Sequence, residues 1–307
     1  MFKKIILSLG IITTTTLFGF EYKIEPQKIT DNVWCFLGET APPTKENGGY
    51  MSNSCYIKTD KSYVLLDTGS SYKFAKKTYE EMSKIAKLPV SDIIVTHVHD
   101  DHWLGNGYFK EKFNSKVYGP SLINSQHSHG SKTRMFNILP EDVMHGTEVV
   151  EVDVVVEEET VLNIGGKTIE IIPMGFTAHT EEDIVVFLKD EKVFFAGDIV
   201  MNGRITSTRD GNLLGLMKAL NKIDTMDWEY LVPGHGHDTS KTAADQIKLY
   251  TKLLKQRVLT AIEDGVESDT ISDVVTLEEF KDVNMYEIFN RRNVFDAFAE
   301  LEFYEGE

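Results

Sequence analysis

The chain places three of its nine histidines and two aspartates in one heptapeptide, Thr96-His97-Val98-His99-Asp100-Asp101-His102. The heptapeptide follows directly on an apolar Ile-Ile-Val run, which is typical of a buried β-strand. Neutral imidazole and carboxylate are the side-chain ligands that zinc and related divalent metals take from proteins. Because a strand ending in a tight loop makes such side chains converge, the heptapeptide predicts a metal site.

The spacing inside the heptapeptide indicates room for two metals. His97 and His99 point to one side if the backbone is extended, because alternate side chains of a strand share a face. The turn through Asp100 then presents Asp101 and His102 separately. The alternatives are a single structural zinc and a polar loop that happens to be rich in histidine.

Four further residues of the same kind follow or end apolar runs elsewhere in the chain. They are Asp67 after VLL, His179 in FTAHT, Asp198 after FFAG and His235 in VPGHG. Together with the heptapeptide, these residues resemble the five ordered motifs of the metallo-β-lactamase fold superfamily. The order and spacing match from about residue 29 to residue 237.

The resemblance implies an α/β fold, the αββα four-layer sandwich, with seven metal ligands in two groups that share one carboxylate. The ligands are His97, His99 and His179 for one metal, Asp101, His102 and His235 for the other, and Asp198 as the bridge between them. Asp67 would hydrogen-bond the ligand loop without touching metal. The resemblance leaves the substrate open.

Hydrophobic periodicity independently predicts strands that alternate with helices, which is typical of two sheets covered by helices. The predicted strands are 29–37, 55–58, 63–67, 93–96, 116–118, 149–155, 168–172, 184–188, 193–196 and 230–232. The predicted helices are 73–87, 213–221, a long helix 240–264 with Ser240 as its N-cap, and a terminal helix within 270–307.

The first twenty residues predict export. Lys3 and Lys4 precede an uncharged apolar run, as in a secretory signal with cleavage near Gly19. An uncleaved anchor is the alternative, but a run of about sixteen residues is short for a bilayer. We therefore expect a signal peptide at 1–19, no stable membrane insertion after cleavage, and a periplasmic or secreted protein. One hydrolase domain would then span 20–307, with a C-terminal helical segment at 240–307.

The charge balance argues against nucleic acid as a partner, and the expected partner is a small-molecule substrate. The formal net charge is −16, and without the two signal lysines 30 basic residues would face 48 acidic ones, a balance of −18. Such a surface repels phosphate backbones.

The only two cysteines, Cys35 and Cys55, lie on successive predicted strands, and the sequence is compatible with either a disulfide or two buried thiols.

The metal centre predicts a reaction class. Two divalent ions that share a water lower its pKa toward neutrality. The expected enzyme is a binuclear zinc hydrolase, with iron or manganese as alternative metals, whose metal-bridging hydroxide attacks a β-lactam, lactone or thioester carbonyl. Asp101 would orient that hydroxide as the catalytic residue. The rival is a mononuclear iron oxygenase of the same fold acting on persulfides, and the seven ligands favour two metals over it.

Residues 178–204 are most similar to the exported SoxH-like, quinoprotein-associated branch of the superfamily, and depart from it at Glu182, where that branch usually has glycine. Asp198 stands where one β-lactamase class carries cysteine, and resembles the general hydrolases, including thioesterases. The glutathione-binding stretch of those thioesterases is absent here.

Arg204 and Arg209 are predicted to bind an anionic group of the substrate, with ordinary surface arginines as the alternative.

Overall fold

The computed structural model describes residues 19–128 and 133–306, with side chains omitted for 126–128. The signal-peptide prediction falls on residues 1–19 and so lies, apart from Gly19, outside the described residues. No helix within the described ranges is both long enough and apolar enough to span a bilayer.

Seven strands form the first sheet, and they lie side by side in chain order. They are β1 Gln27–Lys28, β2 Val33–Phe36, β3 Ser54–Lys58, β4 Tyr63–Leu66, β5 Val90–Ile94, β6 Lys116–Gly119 and β7 Val154–Val155. The first four strands pair antiparallel, and β4 to β7 pair parallel.

Five strands form the second sheet in the order β12-β11-β10-β9-β8. They are β8 Thr160–Ile164, β9 Lys167–Pro173, β10 Ile184–Leu188, β11 Val193–Phe195 and β12 Tyr230–Val232. All neighbours pair antiparallel except β11 and β12, which run parallel. The carboxyl ends of β9, β11 and β12 therefore meet at one edge of this sheet.

Helices cover the outer face of each sheet. They are α1 Tyr72–Ile85, α2 Asn106–Phe113, α3 Leu122–Ser128, α4 Arg134–Ile138, α5 Glu141–Met144, α6 Leu213–Asp224, α7 Asp245–Glu263, α8 Ile271–Val274 and α9 Tyr286–Leu301. The first five lie with the first sheet, and α6 and α7 lie on the second. The predicted terminal helix is α9, which packs with α7 and α8.

Alternating side chains of the strands build the layers. Val33 and Ile57 of the first sheet point inward and share one apolar cluster with Ile169 and Val186 of the second sheet. Outward-pointing residues such as Tyr56 instead pack under the helices. The αββα sandwich predicted from the sequence is confirmed.

Helix α1 shows how the local sequence sets an element. Ser71 begins the helix as its N-cap, because its side chain accepts a hydrogen bond from the backbone N–H of Phe74. Phe74, Thr78 and Met82 follow at helical spacing and are buried. Ile85, at the last turn, is instead exposed.

Several predicted boundaries were wrong where polar side chains compete with the backbone. Helix α7 begins at Asp245 and not at Ser240, because Ser240 instead closes a local turn with Asp238 and Thr242. Only Val154–Val155 of the predicted strand 149–155 pairs in the sheet, and strand β8 was missed because its residues are half-buried or exposed.

A disulfide joins Cys35 to Cys55, and this resolves the alternative left open by the sequence. The two residues are direct cross-strand partners on β2 and β3. Both are buried in the apolar layer between the sheets. The bond closes a loop across a sequence separation of 20 residues.

We expect the double change Cys35→Val with Cys55→Val to lower the free energy of unfolding by about 3 kcal/mol, because the link restricts the unfolded chain while valine preserves apolar packing. Urea unfolding of the oxidised protein and the variant measures this difference. Thiol counting in denaturant should find no free thiol in the oxidised protein. Equal stability of the two proteins would contradict the prediction.

Candidate metal centre

The predicted ligands lie in loops that follow strands at one edge of the sandwich. His97 to His102 follow β5, His179 follows β9, Asp198 lies in the 3-10 turn Gly197–Ile199 after β11, and His235 follows β12. Two backbone hydrogen bonds, from Ile184 to Thr96 at 2.8 Å and from Asn53 to Gly234 at 2.8 Å, tie the two sheets together beside these loops. The strand ends thus bring residues that are distant in sequence into one place.

The first group combines His97, His99, His179 and Asp198, whose inward atoms lie within 4.8 Å of one another. The Nε2 atom of His179 lies 3.0 Å from Nδ1 of His99 and 3.3 Å from Oδ2 of Asp198. The Nε2 atom of His97 lies 3.5 Å from the same carboxylate oxygen.

The second group combines Asp101, His102 and His235, again within 4.8 Å. The Nε2 atom of His235 lies 3.3 Å from Asp101 Oδ2 and 3.4 Å from His102 Nε2. The separation of Asp101 Oδ2 from His102 Nε2 is 3.7 Å. The structure thus brings the seven predicted ligands together in two neighbouring groups.

The Asp198 carboxylate touches both groups. Its Oδ2 lies 3.3 Å from His235 Nε2, in addition to its contacts with the first group, and its Oδ1 lies 3.3 Å from His102 Nε2. Gly234 backs this carboxylate closely, since a Cβ atom there would lie 2.0 Å from Oδ1. Asp198 is therefore held at the junction of the two groups.

Outer hydrogen bonds direct one nitrogen lone pair of each histidine inward. The acceptors for the outer nitrogens are Thr96 Oγ1 for His97, Asp210 for His99, Asp67 for His102, Thr206 Oγ1 for His179 and the Met51 carbonyl for His235. Fixing the outer N–H in this way sets the tautomer that a metal requires.

Unpartnered buried atoms test whether this donor set fits a metal. Among the described residues, the buried side-chain atoms without a hydrogen-bond partner include His97 Nε2, Asp101 Oδ2 and Asp198 Oδ1. All three face the centre. Buried polar atoms without partners are costly, and a coordinated cation would satisfy them. The residues fit divalent metal ions.

The charges of the centre favour a cation as well. Burial, reinforced by the neighbouring His102, lowers the pKa of His97 well below its usual range. Burial alone would raise the pKa of Asp198, but the surrounding histidines hold it well below its usual range. Burial would lower the pKa of His102, yet Asp198, Asp67 and Asp101 raise it well above its usual range. The carboxylates thus create a negative field that attracts positive charge.

Asp67 supports the ligand loop from behind. Its Oδ2 accepts hydrogen bonds from His102 Nδ1 and Thr96 Oγ1, each at 2.8 Å, and its Oδ1 accepts one from the Thr96 backbone at 2.8 Å. Its backbone adopts a left-handed conformation with φ of 53°, which aspartate and asparagine tolerate better than most residues.

We expect Asp67→Asn to weaken zinc binding about 10- to 100-fold, because an amide NH₂ facing His102 Nδ1 would favour the wrong imidazole tautomer. Asparagine keeps both the shape and the left-handed backbone. Chelator competition with metal-free protein measures the affinity, and thermal unfolding verifies the fold. An unchanged zinc affinity would argue against this role.

The two arginines predicted to bind substrate lie in different surroundings. Arg204 is only 4% exposed. Its Nη1 lies 3.2 Å from His235 Nδ1, but that nitrogen already donates to Met51. Its Nε has no partner, and no carboxylate pairs with it among the described residues. Arg209 is exposed and forms an ion pair with Asp210 at 2.6 Å.

Sequence reasoning missed two charged residues whose side chains contact the side chains of predicted ligands. Asp210 accepts the hydrogen bond from His99 at 3.0 Å. Arg134, at the start of α4, donates to Asp101 Oδ1 at 2.7 Å. Neither stands in a recognisable motif, and the one available signal was the position of Asp210 beside Arg209.

A cavity of about 950 Å³ opens beside the centre. Its wall includes His99, Arg134, Arg209 and Asp210. Glu182, the departure noted in the sequence, also lines it and accepts hydrogen bonds from the Ser121 hydroxyl and the Leu122 N–H at the start of α3. Glu182 therefore ties the His179 loop to the opposite wall of the cavity. The cavity provides access for a small molecule.

Comparisons with known proteins agree with this geometry. The family model of the metallo-beta-lactamase superfamily matches residues 47–235, a range that contains all seven predicted ligands. A metallo-beta-lactamase type 2 from Elizabethkingia meningoseptica is 24% identical over 254 residues, covering 78% of this chain and 89% of its own length. One from Bacillus cereus is 27% identical over 227 residues, covering 69% and 77%.

A solved structure shows the same fold. The metallo-beta-lactamase from Pontibacter korlensis superposes with a TM-score of 0.59 at 21% sequence identity. The superposition covers 75% of this chain and 99% of the other. The matched family range, residues 47–235, leaves out the first 46 residues and the C-terminal helical segment.

Proposed function

Because this chain belongs to the metallo-β-lactamase superfamily and is a metal-dependent hydrolase, we propose that it is an exported binuclear zinc enzyme that hydrolyses the acyl C–N, C–O or C–S bond of a small anionic substrate. The observation that carries the two-metal proposal is the position of Asp198. Its carboxylate lies within 3.5 Å of histidine nitrogens from both groups, so one side chain would serve both ions.

Two bound divalent ions would supply Lewis acidity, lowering the pKa of a water toward neutrality and polarising the substrate carbonyl. The chain contributes orientation. Asp101 presents Oδ2 to the centre while Arg134 holds Oδ1, so this carboxylate is placed to accept a hydrogen bond from the attacking water. His97, His102 and Asp198 are almost fully buried, which limits competing water.

A β-lactam is the first substrate to test, because the two relatives named metallo-beta-lactamase type 2 match this chain over most of their own length. A lactone and a thioester remain the other substrates of the proposal. An anionic group of the substrate would be attracted by Arg209 at the cavity rim, whereas Arg204 lies buried beside His235, where Asp198 and Asp101 offset its charge.

The export proposal is supported by the buried disulfide, since disulfides persist in oxidising compartments. It agrees also with the SoxH-like resemblance of residues 178–204. Phe20 lies directly after the expected cleavage point. Its backbone N–H donates to Asp142 at 2.6 Å, and its ring packs against the ring of Tyr22.

The intact mass of the protein purified from the exporting cell tests cleavage, and a protein that retains residues 1–19 would contradict it.

Elemental analysis paired with turnover tests the function. We expect about two zinc ions per chain and hydrolysis of a chromogenic β-lactam, a lactone or a thioester. The same preparation should be assayed with glutathione persulfide. About one iron per chain with oxygen consumption on persulfide would instead assign the chain to the oxygenase alternative, while metal without turnover of any of these substrates would reject the proposed reaction class.

A further inference from the structure

Arg134 forms a fork over two neighbouring aspartates of the ligand loop. Its Nη2 donates to Asp101 Oδ1 at 2.7 Å and to Asp100 Oδ1 at 3.1 Å, and its Nε donates to Asp100 Oδ1 at 3.2 Å. Asp100 Oδ2 accepts the backbone N–H of Met135 at 2.7 Å, so Asp100 also holds the first turn of α4. Planar guanidinium geometry suits such a fork, whereas lysine offers only a point charge.

The fork gives the two carboxylate oxygens of Asp101 different surroundings. Oδ1 is occupied by the guanidinium, and Oδ2 has no hydrogen-bond partner. Oδ2 faces the Nε2 atoms of His235 at 3.3 Å and His102 at 3.7 Å. Arg134 therefore selects which oxygen is free to coordinate an ion, and fixes the rotation of the carboxylate.

This contact differs from an ordinary surface ion pair. The two aspartates are 5% and 2% exposed, so solvent screens them little. The Arg134 side chain itself is 43% exposed and lines the cavity beside the centre. The contact acts on one group alone, because the described contacts of His97, His99 and His179 include no arginine.

We propose that Arg134 is a positioning residue for the second metal group: its fork on Asp100 and Asp101 presents Asp101 Oδ2 to the ion shared with His102 and His235. This inference rests on the proposed two-metal function. Orientation and charge act in opposite directions here. A guanidinium repels a nearby cation, so removing it would tighten metal binding if charge alone mattered, and would weaken binding if orientation dominates.

The test titrates zinc into metal-free protein against a chromophoric chelator, which yields a dissociation constant for each ion. For Arg134→Gln we expect the second constant to rise about 10- to 100-fold while the first stays unchanged. Arg134→Lys should fall between this variant and the wild type, because an ammonium cannot reproduce the fork. Arg257→Gln removes a comparable guanidinium fork on Glu279 away from the centre, and should bind zinc like the wild type.

Each outcome decides the proposal. A second dissociation constant that is unchanged or lower in Arg134→Gln overturns the proposal. Full retention of affinity in Arg134→Lys also overturns it, because it would show that the fork geometry is not required. If Arg134→Gln does not fold in thermal melts, the lysine variant decides alone. If the wild type binds fewer than two metal ions, both the two-metal function and this inference are wrong. If the wild type and the variants bind two ions with the same dissociation constants, only this inference is wrong.

Discussion

Asp198→Asn is expected to release metal from both groups at once, lowering zinc from about two to below one per chain after dialysis and weakening binding by about 100-fold or more. The reason is the shared carboxylate, whose two oxygens contact histidines of both groups. Asparagine preserves the shape that Gly234 packs against but removes the negative charge. Turnover should fall with the metal.

Elemental analysis and chelator competition measure this effect. Asp153→Asn is the matched control, because Asp153 is a half-exposed aspartate paired with Lys110 and away from the ligand loops. The control should keep both metals. Two tightly held zinc ions in Asp198→Asn would show that the carboxylate does not join the groups, and would remove the main support for a two-metal centre.

Asp101→Ala is expected to lower turnover about 100- to 10,000-fold, the range typical of losing a positioned proton acceptor. The first group, His97, His99 and His179, lacks Asp101 and should retain its ion. The buried site tolerates alanine because Arg134 keeps Asp100 as a partner. The expected result is thus a folded protein with metal and little activity.

Steady-state kinetics with the best substrate separates the outcomes. A drop in kcat with KM nearly unchanged indicates a role in the chemical step. Asp31→Ala, at an exposed surface pair with Lys28, is the control for handling and folding. Full activity in Asp101→Ala would eliminate Asp101 from the mechanism, whatever the metal content.

The fold and the ligand positions were predictable because their signals are local. Buried strands appear as short apolar runs, and a ligand that follows such a run lies at the strand end. Five histidines and two aspartates were found in this way, and the structure brings them to one place. Helices α1 and α6 followed from periodicity.

The supporting residues were not predictable, because they act across the fold. Arg134 reaches Asp101 over a separation of 33 residues, and Asp210 reaches His99 over 111. Apart from the position of Asp210 beside Arg209, nothing near either residue in the sequence marks that contact. Ser240 shows the converse error, since a good capping residue formed a turn with its neighbours and left the helix to begin at Asp245.

Each group of candidate ligands includes residues from loops of both sheets, so bound ions would link the two sheets at the edge of the sandwich. The free energy of unfolding then depends on the concentration of free metal. A site whose free metal is 100 times its dissociation constant adds about 2.7 kcal/mol to the folded state, and metal starvation withdraws that contribution. Scarcity of metal would therefore control how much of the protein survives as well as how fast it works.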